Sequence, residues 1–175
     1  ASQLGVDHLS SIEDLLSRRA DCEGAILATP NTTHCDLALK LIASGLPALV
    51  EKPLAVTSQE ASKIVAASQD HEVPVMVGHH RRFHYATDIA RQKIVSGELG
   101  QLVGGQATWS LRKPDSYFEA GLWRASAGGG PVWLNFIHDV DLLRHFMGEI
   151  VEISAMLSSA TRKGAVEDTA VVALR

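Results

Sequence analysis

The sequence is poor in cysteine, carries no surplus of positive charge and contains no long apolar run. Cys22 and Cys35 are its two cysteines. A disulfide framework uses more, so both are read as reduced thiols. With 16 basic and 20 acidic residues the formal net charge is -4. That balance argues against a nucleic-acid partner, because phosphate contacts need concentrated basic surface. The densest basic patch, Arg81-Arg82 beside His79, His80 and His84, is too short for that role. No apolar run approaches the ~20 residues of a membrane span, and no signal peptide opens the chain. The expectation is a cytoplasmic protein with no membrane partner. Internal repeats and low-complexity tracts are also absent.

What is present is ordinary globular composition, 46% hydrophobic and 21% charged over 175 residues. That length suits one domain and is short for two. The segment Ala1 to Val6 reads like a helix end running into a turn, and Val171 to Arg175 like a strand in progress. Both ends therefore read as cut, and the chain as an internal piece of a longer protein.

Ser10-Ser11-Ile12-Glu13 has the form of a capping box, opening a helix to about Arg19. Gly24 to Ala28 is an apolar run without alternation, the pattern of a strand buried on both faces. A helix from Thr33 to Ser44 follows, with Leu37, Leu41 and Ile42 on one face and Gly45 and Pro47 stopping it. Ala48 to Val50 is the next strand. Thr57 to Glu60 is a second capping box, heading a helix that presents Ala61, Ile64, Val65 and Ser68. Val73 to Val77 is a third strand, closed by Gly78. Helices alternating with continuous apolar strands predict a parallel, doubly wound sheet.

After Gly78 the pattern changes. A helix is predicted from Phe83 to Val95, with Ala86, Ile89, Ala90 and Ile94 inward. Val103 to Leu111 alternates as a half-buried antiparallel strand does. A loop with Gly128-Gly129-Gly130 leads to a helix from Val132 to Phe146, ended by Gly148. Two alternating stretches, Val151 to Leu157 and Thr169 to Leu174, follow. The expected division is residues 1–80 and residues 81–175.

Chemistry is expected at the strand ends, where parallel α/β sheets bind ligands. One end is Ala28-Thr29-Pro30-Asn31, another Glu51-Lys52-Pro53. A partly desolvated lysine there can polarise a substrate oxygen. A solvated lysine paired with Glu51 is the plainer alternative. The third end is Gly78-His79-His80-Arg81-Arg82-Phe83, read either as ligand contact or as a polar junction. The helix after the glycines is apolar nearly all round, at Leu134, Phe136, Ile137, Val140, Leu142, Leu143 and Phe146, which predicts burial. Asn135, His138, Asp141 and His145 share one face of it. A polar stripe on a buried helix is either hydrogen-bonded or lines a cavity. Histidine titrates near neutrality, which suits His138 to general acid–base work. Convergence of His138, Asp141 and His145 on a metal ion is a minor alternative, and no metal is expected. Trp123-Arg124 offers stacking and a hydrogen-bond fork.

Taken together, Ala28 to Asn31 with His34, Glu51-Lys52-Pro53, Arg82-Phe83, Gly97 to Gly100 and the segment from Gly128 to Asp141 resemble the Gfo/Idh/MocA family of oxidoreductases. The resemblance covers nearly the whole chain in the family's order. It implies the C-terminal part of a doubly wound Rossmann domain, followed by the start of an α+β domain with a mainly antiparallel open sheet. It also implies hydride transfer between NAD or NADP and a sugar, polyol or related hydroxy or carbonyl compound. By the same resemblance Lys52 and His138 are catalytic. Thr29, Pro30, Asn31, His34, Glu51, Lys52 and Pro53 contact the cofactor, and Pro53 follows a cis bond. His79, Arg82, Arg124, Asn135 and His138 contact the substrate. Homo-oligomers are expected of the full-length protein. Many members carry an aspartate four residues before the histidine, where this sequence has Leu134. The family's Gly-x-Gly-x-x-Gly turn and its ribose-binding acid would precede Ala1, so NAD and NADP stay equal alternatives. The family also contains NAD-dependent glycosidases and resembles a non-catalytic, dinucleotide-binding repressor. Those are the rival expectations.

Overall fold

The computed structural model describes residues 5–18, 21–126, 129–162 and 165–175. The expected helix end at Arg19, the reading of Ala1 to Leu4 and the first glycine of the Gly128 triplet lie outside the described residues. The chain forms two compact units, Ala1–Gly78 and His79–Arg175.

The first unit starts with helix α1, Ile12–Ser17. Its N-cap is Ser11, one residue later than the sequence suggests, and the Ser11 hydroxyl accepts from the Asp14 backbone N–H at 3.1 Å. Glu13 does not close a box, because its carboxylate is taken by Lys40 Nζ at 2.7 Å. Strands β1 (Ala25–Leu27), β2 (Ala48–Val50) and β3 (Val75–Val77) form a parallel sheet in sequence order. Ala25 pairs with Ala48 and Ala48 with Val75, so all three strands end at one edge. Helices α2 (His34–Ala43) and α3 (Ser58–Asp70) connect them. The predicted capping box of α3 is complete, with Thr57 and Glu60 satisfying each other's backbone N–H groups.

Leu41, Ile42, Leu46, Val50 and Ile64 are the largest fully buried apolar side chains of this unit. Each contributes ~1.5–3 kcal/mol of transfer free energy relative to exposure. On α3 only Ile64 is buried. Val65, expected inward, is 49% exposed, because it lies on the flank that turns away from α2 and the sheet.

The second unit begins with a 3-10 turn, His80–Phe83, and helix α4, Tyr85–Val95. Splitting the expected helix leaves Phe83 exposed, and Ala86 is exposed as well. A short helix α5 spans Asp115–Glu119. The alternating stretch from Val103 to Leu111 forms no strand, and Val103 is 96% exposed. Alternation marks a strand only where a neighbour supplies a ladder. Among the described residues the antiparallel ladder joins β4 (Ile153–Ser158) to β5 (Thr169–Leu174) and nothing else.

The helix before that hairpin is also irregular. Val132–Phe136 is π-helical, and helix α6 continues as Ile137–Met147 to Gly148 at φ +102°. Its apolar residues are half-buried rather than buried, a departure from the all-round pattern. The buried side chains of α6 are His138 and Asp141. Polar pairing with the 3-10 turn takes the inner face, while Val132, Trp133, Phe136 and Val140 line an open apolar cavity of about 340 Å³ against β4 and β5.

Candidate active site

In the first unit the ladder brings three polar turns to one edge. β1 runs into Thr29-Pro30-Asn31, whose Asn31 is 6% exposed. The Thr33 hydroxyl lies 2.7 Å from that of Thr29 and 2.8 Å from the Pro30 carbonyl, which tightens the turn. β2 runs into Glu51-Lys52-Pro53, where the Lys52–Pro53 bond is cis. Glu51 N–H still reaches the Leu27 carbonyl at 2.8 Å, and Gly78 N–H reaches that of Val50 at 2.7 Å. The ladder therefore holds these turns right up to their first residues.

His34 ties two of the turns together. It is fully buried, with Nδ1 at 2.8 Å from the Pro53 carbonyl and Nε2 at 3.0 Å from that of Thr29. A neutral imidazole donates to one of these oxygens. With both ring nitrogens against backbone, His34 shapes the turns rather than presenting an edge of its own.

At the third strand end a glycine leaves room for a carboxylate. A Cβ on Gly78 would sit 3.3 Å from Cδ, Oε1 and Oε2 of Glu51, so Gly78 forms the wall against which that carboxylate rests. One Glu51 oxygen also accepts from the Lys52 backbone N–H at 3.3 Å. Lys52 itself is half-buried.

In the second unit, four consecutive residues meet α6 one by one. His79 Nδ1 lies 3.8 Å from Asp141 Oδ2. The His80 ring stands edge-on to His138, with centroids 4.8 Å apart. Arg81 donates from Nη1 to Asp139 Oδ1 at 2.8 Å and stacks at 5.1 Å on Trp109. Arg82 forks onto Asp141, with Nε at 2.8 Å from Oδ2 and Nη2 at 2.6 Å from Oδ1. Those hydrogen bonds hold the Arg82 guanidinium above the ordinary arginine range. The Asp141 side chain is 6% exposed and the Arg82 side chain 37%.

Of the residues expected to touch substrate, His79, Arg82 and His138 share this cluster, and Asn135 sits in the π-helical stretch just before it. Arg124 belongs to another cluster. It donates to the Tyr117 carbonyl at 2.6 Å and stacks on Tyr117 and Trp123. The minor metal alternative loses Asp141, whose carboxylate is taken by Arg82. Among the described residues no group of three His, Cys, Asp or Glu side chains is placed to hold an ion.

His80 and Arg81 were read only as part of the third strand end, and Asp139 was not singled out from the sequence. The signal was there in a doublet, Arg81-Arg82, matched by two acids in alternate places, Asp139 and Asp141. Pairing them needs the fold, since 58 and 59 residues separate the partners.

Comparison with known proteins bears on these turns and this helix. Residues 1–79 match the model described as an oxidoreductase family with an NAD-binding Rossmann fold, and residues 88–175 match the GFO/IDH/MocA C-terminal domain. The chain is 32% identical to the rhizopine catabolism protein MocA of Rhizobium meliloti over 84% of its own length and 45% of that protein's. It is 30% identical to 1,5-anhydro-D-fructose reductase of Ensifer adhaerens, over 91% of this chain and 48% of the reductase. Among solved structures, the WlbA dehydrogenase from Bordetella pertussis, in complex with NADH and UDP-GlcNAcA, superposes with TM-score 0.83 at 27% identity, over 95% of this chain and 51% of that one. The chain thus spans about half the length of the curated relatives it matches. Across both of its units it belongs to the Gfo/Idh/MocA family of oxidoreductases.

Proposed function

We propose that the protein is an NAD- or NADP-dependent oxidoreductase that transfers hydride between the nicotinamide and a CH–OH group of a sugar, polyol or related compound. The observation that carries this reading is Lys52, half-buried at the end of β2 between Glu51 and a cis-proline, in a chain of this family.

The residues present fit a dinucleotide. The hydroxyl-bearing turn at Thr29 to Thr33 and the Glu51-Lys52-Pro53 turn lie at one sheet edge, where a parallel sheet takes its ligand. Thr29, Pro30, Asn31, Glu51 and Pro53 would hold the cofactor, with His34 fixing the shape of both turns. When bound, the nicotinamide supplies the hydride acceptor or donor.

The chain's own residues supply the rest. His138 takes the substrate hydroxyl proton in the oxidative direction and returns it in the reductive one. The Lys52 ammonium holds the substrate oxygen and favours the negative charge that develops on it. Asn135 and His79 orient the substrate. The relatives that support a carbohydrate substrate are the anhydrofructose reductase and the WlbA dehydrogenase crystallised with a sugar nucleotide.

The test follows nicotinamide absorbance with the full-length protein, a panel of sugars and polyols, and a Lys52→Met variant. Turnover that falls by at least 100-fold in the variant supports the reading. Tight cofactor binding without turnover on any substrate would overturn it and favour a dinucleotide sensor. Sugar release with no net change in cofactor would overturn it in favour of a glycosidase.

A further inference from the structure

We propose that the Arg82–Asp141 ion pair sets the pH at which His138 exchanges its proton, and that Arg82 is a positioning residue rather than a substrate ligand. This rests on the reading of His138 as the acid–base group.

Asp141 lies three residues beyond His138 on α6, where side chains are neighbours about 5–6 Å apart at Cβ. Both side chains are buried, at 5% and 7% exposure, so charge on one acts on the other with little screening. An unpaired Asp141 would favour the imidazolium and delay proton uptake from substrate to higher pH. The Arg82 fork neutralises it with three short contacts, from 2.6 to 3.0 Å. With Nε and Nη2 both committed, that edge of the Arg82 guanidinium is spent on the helix.

The other charged and titratable groups around α6 are placed so that this pair decides the balance. Asp139 is answered by Arg81 at 2.8 Å, and Arg144 by Glu149 at 2.6 Å. His80 meets the His138 ring, and His79 stands near Asp141. His145 follows on α6 itself, beside Phe146. Helix α4, which also packs on α6, carries Asp88, Arg91 and Lys93. Asp88 accepts from Gln92, and Lys93 pairs with Glu98. Removing Arg82 leaves the Asp141 carboxylate to His79 at 3.8 Å, and removing Asp141 leaves the Arg82 cation without its fork, so the charge beside His138 changes with opposite sign in the two cases.

The test uses the full-length protein with Arg82→Met, Arg82→Lys and Asp141→Asn. The His138 titration is read by NMR on labelled histidine, assigned with His138→Gln, beside the pH profile of kcat/KM. Arg82→Met should move the His138 midpoint up by about half to one pH unit, and Asp141→Asn should move it down by a similar amount. Arg82→Lys, which keeps the charge and loses the fork, should fall between the parent and Arg82→Met. Shifts in the same direction, or a raised KM in Arg82→Met with an unmoved midpoint, would overturn the proposal. Arg82→Lys and Asp141→Asn keep side-chain volume, so they carry the test even where Arg82→Met fails to fold. The NMR midpoint separates the two readings. Opposite shifts in a protein without turnover would support the electrostatic pairing and sink the assigned reaction. Turnover with unmoved midpoints would do the reverse.

Discussion

The two units are held together by different means. In the first, the buried side chains are mostly apolar and form one cluster around Leu41, Ile42, Leu46, Val50 and Ile64. In the second, the buried side chains among the described residues are Thr87, His138 and Asp141. Apolar burial is non-directional and tolerates small displacements, whereas a forked ion pair fixes angle as well as distance. The first unit places three turns by stacking strands in register. The second places one histidine by matching charges across two elements.

The largest effect that would sharpen this contrast is in the apolar cluster. Leu41→Ala should cost about 3–4 kcal/mol, near the upper range for a fully buried leucine, while Leu143→Ala on half-buried α6 should cost about 1 kcal/mol. Denaturant unfolding of the pair measures both, and equal costs would erase the distinction. Next in size is the cap of α3. Thr57→Ala removes the acceptor for the Glu60 N–H and should cost about 1 kcal/mol, read as a lowered midpoint with an unchanged slope.

The smallest effect concerns pH in the β4–β5 connection. The backbone N–H groups of Arg162 and Thr161, with the Thr169 hydroxyl, hold the Asp168 carboxyl below the usual carboxylate range. A depressed folded value means that the contribution is present above the unfolded value of 3.8 and is lost as pH falls through the folded one. Amide exchange at Thr161 and Arg162 should therefore lose protection only in acid, below about 3.8, and Asp168→Asn should abolish that step.

Much of the first unit was legible in the sequence because its determinants are local. Apolar runs of strand length, a Thr-x-x-Glu box and Gly-Pro punctuation each act within a few residues. Among its errors, Ser10 was read as the cap in place of Ser11 because Glu13 is drawn off to Lys40, 27 positions away, and Ile26 and Met76, read into strands buried on both faces, are exposed. In the second unit the determinants are distant. Val103 to Leu111 has the right alternation for a strand, yet alternation says nothing of a neighbour. The partner of Arg82, Asp141, lies 59 positions away, and nothing beside Arg82 announces it. The polar stripe on α6 was visible by spacing alone. What it pairs with was not.

The π-helical stretch Val132–Phe136 has a consequence for chain length. Hydrogen bonds spanning five residues accommodate one more residue than the same turn wound as an α-helix. Deleting one residue there would restore ordinary winding and leave α6, with His138, facing as it does now. The stretch is thus an insertion absorbed in place, and the facing of His138 does not depend on it.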